Sequence, residues 1–162
     1  MMPMALCAQT FVDLSHTPRT SPGGLPQETR CVDASQSPIH SFGGLPWAVV
    51  ALDASHTPIT SLGGLPPHVV WLDVSGTSIR SLGGLPSSLT HLDISDTAIT
   101  SLGGLPPGLT YLDIRGTAVR TLGGLPPGLL VLVVDDTTTL SLAGLPPGTR
   151  VVRRRDPDRR GW

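Results

Sequence analysis

The chain has 162 residues and a formal net charge of −1, so its overall charge gives no attraction to nucleic acid or to a membrane surface. Hydrophobic residues make up 39% of the sequence, which is enough to bury a core. Gly (19) and Pro (17) are abundant, a composition typical of disorder in a sequence without a period, but this sequence has one.

The first twenty residues are predicted to form an irregular first repeat. Their start, MMPMALCAQ, has no basic residue and too short an apolar stretch for a signal peptide. We therefore expect a cytoplasmic protein, or one secreted into a host cell by a route that needs no signal peptide. Cys7 and Cys31 lie at different phases of the repeat, which favours free thiols in a reducing compartment.

A twenty-residue period runs from residue 21 to residue 150 without insertion or deletion. Residues 61–80 read SLGGLPPHVVWLDVSGTSIR, and the next twenty read SLGGLPSSLTHLDISDTAIT. The alternation in HLDIS predicts a short strand with Leu92 and Ile94 directed inward. Gly-Gly, or Ala-Gly in the last repeat, and Pro in every period exclude an α-helix and predict a turn followed by an extended, polyproline-like return. Because one such repeat cannot bury enough apolar surface alone, about eight coils should stack into a parallel β-solenoid.

The spacing L-x-x-L-x-L-x-x-T-x-I, followed by L-x-x-L-P, resembles the leucine-rich repeat family. The twenty-residue length and the Leu-Pro turn resemble its shortest bacterial class, found in type III secreted effectors, some of which carry a separate ubiquitin-ligase domain. The resemblance implies a right-handed parallel solenoid with its strands on a concave face, and a role in binding.

One column of the repeat departs from the family, which usually has Asn there. The residues in this column are Thr17, Ser37, Thr57, Thr77, Thr97, Thr117 and Thr137. A hydroxyl can make some of the hydrogen bonds to buried backbone groups that an Asn amide makes. We therefore expect the column to lie inside the coil and hold its turns together.

An acidic column occupies the outward side of the predicted strands. Its members are Asp13, Asp33, Asp53, Asp73, Asp93 and Asp113. Neighbours in stacked strands lie ~4.8 Å apart and repel one another. The column is either a stripe for cations or a basic partner, or a solvated ladder that accepts hydrogen bonds from the Ser residues two positions on.

A variable row precedes the inward Leu of each strand and faces the same side as the acidic column. In order it holds Phe11, Cys31, Ala51, Trp71, His91, Tyr111 and Val131. Aromatic residues are enriched at binding hot spots. We predict a partner-binding face centred on Trp71, His91 and Tyr111 and rimmed by Asp73, Asp93 and Asp113. The alternative is unselected variation at an exposed position.

Nothing in the sequence predicts catalysis, a metal site or a cofactor. His16 and His56 share a phase but lie two coils apart, ~10 Å, which is too far for one metal ion. Every Asp and Ser of a conceivable catalytic set belongs to a repeat column, and no phosphate-binding loop is present. We therefore expect a protein that is not an enzyme and needs no cofactor.

Residues 151–162 break the pattern. Val151 and Val152 fit a last strand, and an Arg-rich tail follows them. The tail favours a charged cap for the solenoid over a nucleic-acid or nuclear-import patch. Arg155 falls at the phase of Asp135 one coil earlier, so the two are predicted to be neighbours.

Together these features predict a solenoid over residues 21–150 that acts as a monomeric, non-catalytic protein–protein interaction module on its concave strand face. The acidic column favours a basic protein partner, with no role for a membrane or nucleic acid. Two alternatives stay open: the recognition arm or remnant of a ligase-type effector without its catalytic domain, and a purely structural array.

Overall fold

The structure is a computed structural model that describes residues 2–7, 10–136 and 139–155. Within these residues it contains one short helix, α1 (Met4–Cys7), and eight strands in a single parallel sheet. The strands are β1 (Phe11–Asp13), β2 (Cys31–Asp33), β3 (Ala51–Asp53), β4 (Trp71–Asp73), β5 (His91–Asp93), β6 (Tyr111–Asp113), β7 (Val131–Asp135) and β8 (Arg150–Arg154). Sheet order equals chain order, which confirms the predicted parallel solenoid with almost no helix. No helix in the described part of the chain has the length and apolar character needed to cross a bilayer.

Each coil consists of one strand and a return built from turns. In the return that leads into β5, the amide of Leu89 donates to the carbonyl of Pro86 (3.2 Å), which closes the Leu-Pro turn. The second Gly of Gly-Gly has a positive φ in every coil, as at Gly84 (φ 98°). The last repeat has Ala143 in place of the first Gly but retains Gly144 (φ 89°), so only the second position requires glycine.

The core is a continuous column of inward side chains along the solenoid axis. In the coil that begins with β5, Leu92, Ile94, Ile99 and Leu102 are all buried, and equivalent residues repeat the pattern from Leu14 to Leu140. The predicted inward positions are therefore confirmed, because the period-2 alternation of each strand directs Leu and Ile to one side only.

The Thr column lies inside the coil and closes the turn after each strand. The hydroxyl of Thr97 donates to the carbonyl of Ile94 at 2.7 Å, three residues earlier. The same bond is made by Thr17, Ser37, Thr57, Thr77 and Thr117. Thr137 lies outside the described residues. A hydroxyl thus satisfies a turn carbonyl, as predicted for this column.

The expectation of two free thiols is wrong, because Cys7 and Cys31 form a disulfide with a Cα–Cα distance of 5.4 Å. The phase argument failed because residues 2–7 do not belong to the repeat: they fold back over the sheet and bring Cys7 to β2. The cysteines therefore give no argument for a reducing compartment.

The last strand differs from the predicted register by one residue. Arg150 pairs with Val131 and Val151 with Leu132, a step of 19 residues where the other strand pairs step by 20. This step places Arg154 opposite Asp135 and brings Arg155 Nε to 2.9 Å from Asp136 Oδ2. The predicted pairing of Arg155 with Asp135 is therefore wrong by one position. Arg155 binds Asp136 instead, and Arg154 lies opposite Asp135. The tail beyond residue 155 lies outside the described residues.

Candidate functional site

The side of the sheet opposite the core, which we call the strand face, carries both of the rows singled out in the sequence. Strands β4, β5 and β6 pair in register, so Trp71, His91 and Tyr111 are direct neighbours. Asp73, Asp93 and Asp113 are direct neighbours in the same way. The structure thus brings all six predicted site residues together on three adjacent strands.

The three rings form one stack. The ring centroids of His91 and Tyr111 are 4.0 Å apart with an interplanar angle of 3°. Those of Trp71 and His91 are 5.5 Å apart at 21°. Burial lowers the pKa of His91 from 6.5 to about 4, and burial followed by the charge of Asp113 raises the pKa of Tyr111. At neutral pH the ring stack is therefore uncharged, and because the ring faces lie against one another it presents mainly ring edges to a partner.

The acidic column accepts hydrogen bonds from the Ser two residues on in each of the first five coils. In the first three coils both the amide and the hydroxyl of the following Ser donate to one Asp carboxylate oxygen, as Ser55 does to Asp53 at 3.0 and 2.7 Å. Asp73 and Asp93 receive the Ser amide, at 2.9 and 2.8 Å. The hydrogen-bonded ladder considered in the sequence thus describes the column through β5, and the partner of the Asp changes at β6, where Arg115 takes the place of Ser.

The carboxylates on β4 and β5 are energetically costly to ionise. Burial raises the pKa of Asp73, against the hydrogen bonds from Ser75. Burial, then the charges of Asp73 and Asp113, raises the pKa of Asp93 from 3.8 to about 7. Asp93 therefore exchanges its proton near neutral pH, and a cation placed beside it would favour the ionised form.

Arg115 is a site residue that sequence reasoning missed. Its guanidinium binds the buried carboxylate of Asp113 through Nε (3.0 Å to both oxygens) and Nη2 (2.8 Å). The bond to Asp113 raises the pKa of Arg115. The signal was present, because Arg115 interrupts a column that holds Ser in the five preceding coils. The pair closes the acidic column at β6, where the next strand has Val133 in place of Asp.

Trp71 is on the strand face as predicted, but it is not open to solvent. Only 5% of it is exposed, whereas His91 and Tyr111 in the same row are half-buried. Residues 2–7, which we call the N-terminal cover, lie against this part of the face. The side chains that pack together there are Met2, Cys7, Cys31, Val50, Ala51, Val70 and Trp71. The stack is therefore closed at its Trp71 end and open at its Tyr111 end.

Within the described residues, no group of three or more His, Cys, Asp or Glu side chains is placed to hold a metal ion. His56 and Gln36 line an open surface depression on coils two and three. These residues are apart from the ring stack, and the geometry assigns them no chemistry.

No protein-family model and no curated protein sequence matches the chain. Solved structures of bacterial repeat proteins do. YopM from Yersinia enterocolitica WA-314 superposes with a TM-score of 0.68 at 28% identity, over 90% of this chain and 37% of that chain. The leucine-rich repeat domain of a Shigella effector superposes with a TM-score of 0.63 at 20% identity, covering 82% of this chain and 71% of that one. The functional domain of InlJ from Listeria monocytogenes gives 0.53 at 17%, covering 89% and 41%. The chain thus spans little more than a third of the YopM chain, and the Shigella and Listeria similarities show the fold alone.

Proposed function

We propose that this chain, a leucine-rich repeat solenoid of the bacterial, effector-like kind, is a non-catalytic module that binds a protein partner on its strand face. The observation that carries the proposal is the ring stack on β4–β6 beside the acidic column. Rigid aromatic side chains supply contact area at low entropic cost and dominate the energy of many interfaces. A row of stacked rings held by the sheet is pre-organised for such a contact.

The partner should be basic where it meets Asp73 and Asp93. Both carboxyl groups have a raised pKa because they are desolvated and lie beside other carboxylates. An Arg or Lys of the partner would relieve this repulsion, which favours a cationic partner and sets its register on the face. The protein acts as a monomer in this proposal, either in the cytoplasm of its own cell or in a host cell.

A capture experiment with paired variants tests the proposal. The double variant His91→Ala, Tyr111→Ala removes the open part of the stack without touching the core. Trp47→Ala is the matched control, because Trp47 is a ring that is 69% exposed and lies outside the strand face. We expect the control to capture the same proteins from a cell lysate as the parent does, and the double variant to lose them. Capture of the same proteins by the double variant would refute the strand face as the site. In the ligase-arm alternative this face has the same role, so the same variants apply.

The pH dependence of binding gives a second, quantitative test. Because Asp93 must lose its proton to attract a cation, affinity for an arginine-rich peptide should rise between about pH 6 and pH 8, by up to about tenfold. Asp93→Asn should remove this dependence and bind as weakly as the parent does in acid. An affinity that does not vary with pH in the parent would show that the cation lies elsewhere.

A further inference from the structure

The apolar part of the strand face coincides with the N-terminal cover. At the residue before each strand and at the strand's first residue, β3 has Val50 and Ala51, and β4 has Val70 and Trp71. The next strand has Thr90 and His91 at the same two positions. These two positions are thus apolar at β3 and β4, where residues 2–7 lie, and polar at β5 beside the cover; they are apolar again at β7, where Leu130 is 59% exposed. The sequence of the solenoid therefore suits a covered surface at β3 and β4 and an open one at β5.

The cover itself is held by few contacts. Of its side chains that the structure describes, Met2 and Cys7 join the apolar cluster, whereas Ala5 is exposed and Leu6 is 42% exposed. Its backbone makes one helical turn, with the Leu6 amide donating to the Pro3 carbonyl at 2.9 Å. The covalent link from Cys7 to Cys31 is thus a principal attachment of the cover to the sheet.

We infer that the N-terminal cover is a redox-releasable occupant of the strand face. While Cys7 and Cys31 are joined, the cover occupies the apolar surface around Trp71. When they are reduced, it yields that surface to an apolar turn of the partner protein. This inference rests on the proposed function, since the partner that replaces the cover is the one bound at His91 and Tyr111. An apolar turn is the fitting occupant because the surface already accommodates one from its own chain.

The reductant is a dithiol of the kind that cells use to reduce protein disulfides. One of its thiolates attacks a sulfur of the pair, forming a mixed disulfide and releasing the other cysteine as a thiolate. Its second thiol then displaces the remaining cysteine, and the reductant leaves as its own disulfide. Two electrons and two protons pass to Cys7 and Cys31. Both sulfurs are buried, so attack follows local opening of the cover, in which Ala5 and Leu6 are already exposed.

The accessibility of Trp71 reports the state of the cover without any partner. In full-length protein carrying Trp47→Phe and Trp162→Phe, Trp71 is the sole tryptophan, and acrylamide quenching measures its exposure, normalised to the unquenched lifetime of each form. We expect weak quenching in the oxidised protein. Quenching should become severalfold stronger after dithiothreitol treatment, and equally strong without it in the Cys7→Ala variant. The far-UV circular dichroism of all three should stay nearly the same, because the cover contributes no strand to the sheet. Equal protection of Trp71 in the oxidised, reduced and Cys7→Ala forms would overturn the inference.

Binding then separates this inference from the proposed function. The probe is a synthetic peptide with a leucine-rich turn followed by arginines, and severalfold tighter binding to the reduced protein than to the oxidised one is expected. If His91→Ala, Tyr111→Ala abolishes binding while reduction leaves it unchanged, the cover is not a competitor and the proposed function survives. If the double variant binds like the parent, the proposed function itself fails, whatever the quenching shows.

Discussion

Replacing Asp93 by Asn should stabilise the fold at alkaline pH and leave it nearly unchanged in acid. Burial between two other carboxylates raises the pKa of Asp93 from 3.8 to about 7. The folded protein therefore holds this proton more tightly than the unfolded chain does. The resulting stabilisation is complete below about pH 4 and is lost as the pH rises through about 7. Asn carries no charge at any pH and still offers an oxygen to the Ser95 amide.

The size of the effect follows from the shift. A pKa difference of about three units corresponds to a ceiling of about 4 kcal/mol between the acidic and alkaline limits. We expect Asp93→Asn to gain about 2–4 kcal/mol over the parent near pH 8, and the gain to shrink to nothing by about pH 4. Urea denaturation followed by far-UV circular dichroism, repeated across this pH range, measures the difference.

The contribution of His91 to stability changes with pH in the opposite direction to that of Asp93, so the two contributions must be measured separately. Its lowered pKa of about 4 means that the folded protein resists its protonation, so its contribution is complete above 6.5 and is lost as the pH falls through 4. The two contributions largely cancel between about pH 4 and 6.5 in the parent. His91→Phe keeps a ring in the stack but cannot titrate, so its stability should rise steadily as the pH falls from about 7 to about 4.

The matched control is Asp13→Asn, at the same phase in the first coil. There the hydrogen bonds from Ser15 lower the pKa of the carboxyl, so Asn should bring no gain at alkaline pH. A stability difference between Asp93→Asn and the parent that stays constant with pH would refute the electrostatic account of the acidic column.

Three further predictions test the coil itself. Thr97→Val keeps the shape of a buried side chain but leaves the Ile94 carbonyl without its hydroxyl donor, and should cost ~1–3 kcal/mol; an unchanged urea midpoint would mean that only bulk matters there. Gly84→Ala should cost about 1–3 kcal/mol of stability, because φ is 98° there and the new Cβ would lie 3.0 Å from the Leu62 carbonyl oxygen. The control Gly83→Ala should be neutral or slightly stabilising. Equal thermal midpoints of the two variants would contradict the argument from backbone conformation. Arg155→Glu should lower stability by at most about 1 kcal/mol, since its bond to Asp136 is exposed, and a larger loss on calorimetry would show that the last coil depends on it.

The sequence predicted those parts of the fold that recur in every twenty-residue repeat. Stacking in register makes each residue a neighbour of its equivalent twenty positions away, so one coil determines the pairing of Trp71 with His91 and of Asp73 with Asp93. The hydroxyl bond of Thr97 follows in the same way, since the turn repeats with the period.

What could not be predicted lies where a contact joins residues that the period does not relate. Cys7 meets Cys31 because a segment outside the repeat folds back, and no spacing in the sequence fixes that path. Arg115 binds Asp113 of its own coil, and this side-chain conformation cannot be predicted by comparing equivalent positions of the repeats. The step of 19 residues at β8 departs from the twenty-residue spacing of the other strand pairs, so that spacing could not predict it.

Trp71 packs in the apolar cluster under the N-terminal cover and also stacks on His91. It therefore connects the covered part of the strand face with the open part. A partner that contacts His91 and Tyr111 reaches the edge of the N-terminal cover, and one that also contacts Trp71 must displace it. Its affinity for the oxidised protein is then lowered by the free energy of opening the cover. Because linkage between two binding equilibria is reciprocal, a partner that binds the reduced form more tightly must make the Cys7–Cys31 bond easier to reduce by the same factor. The partner and the dithiol therefore act on one equilibrium, the position of residues 2–7 on the sheet.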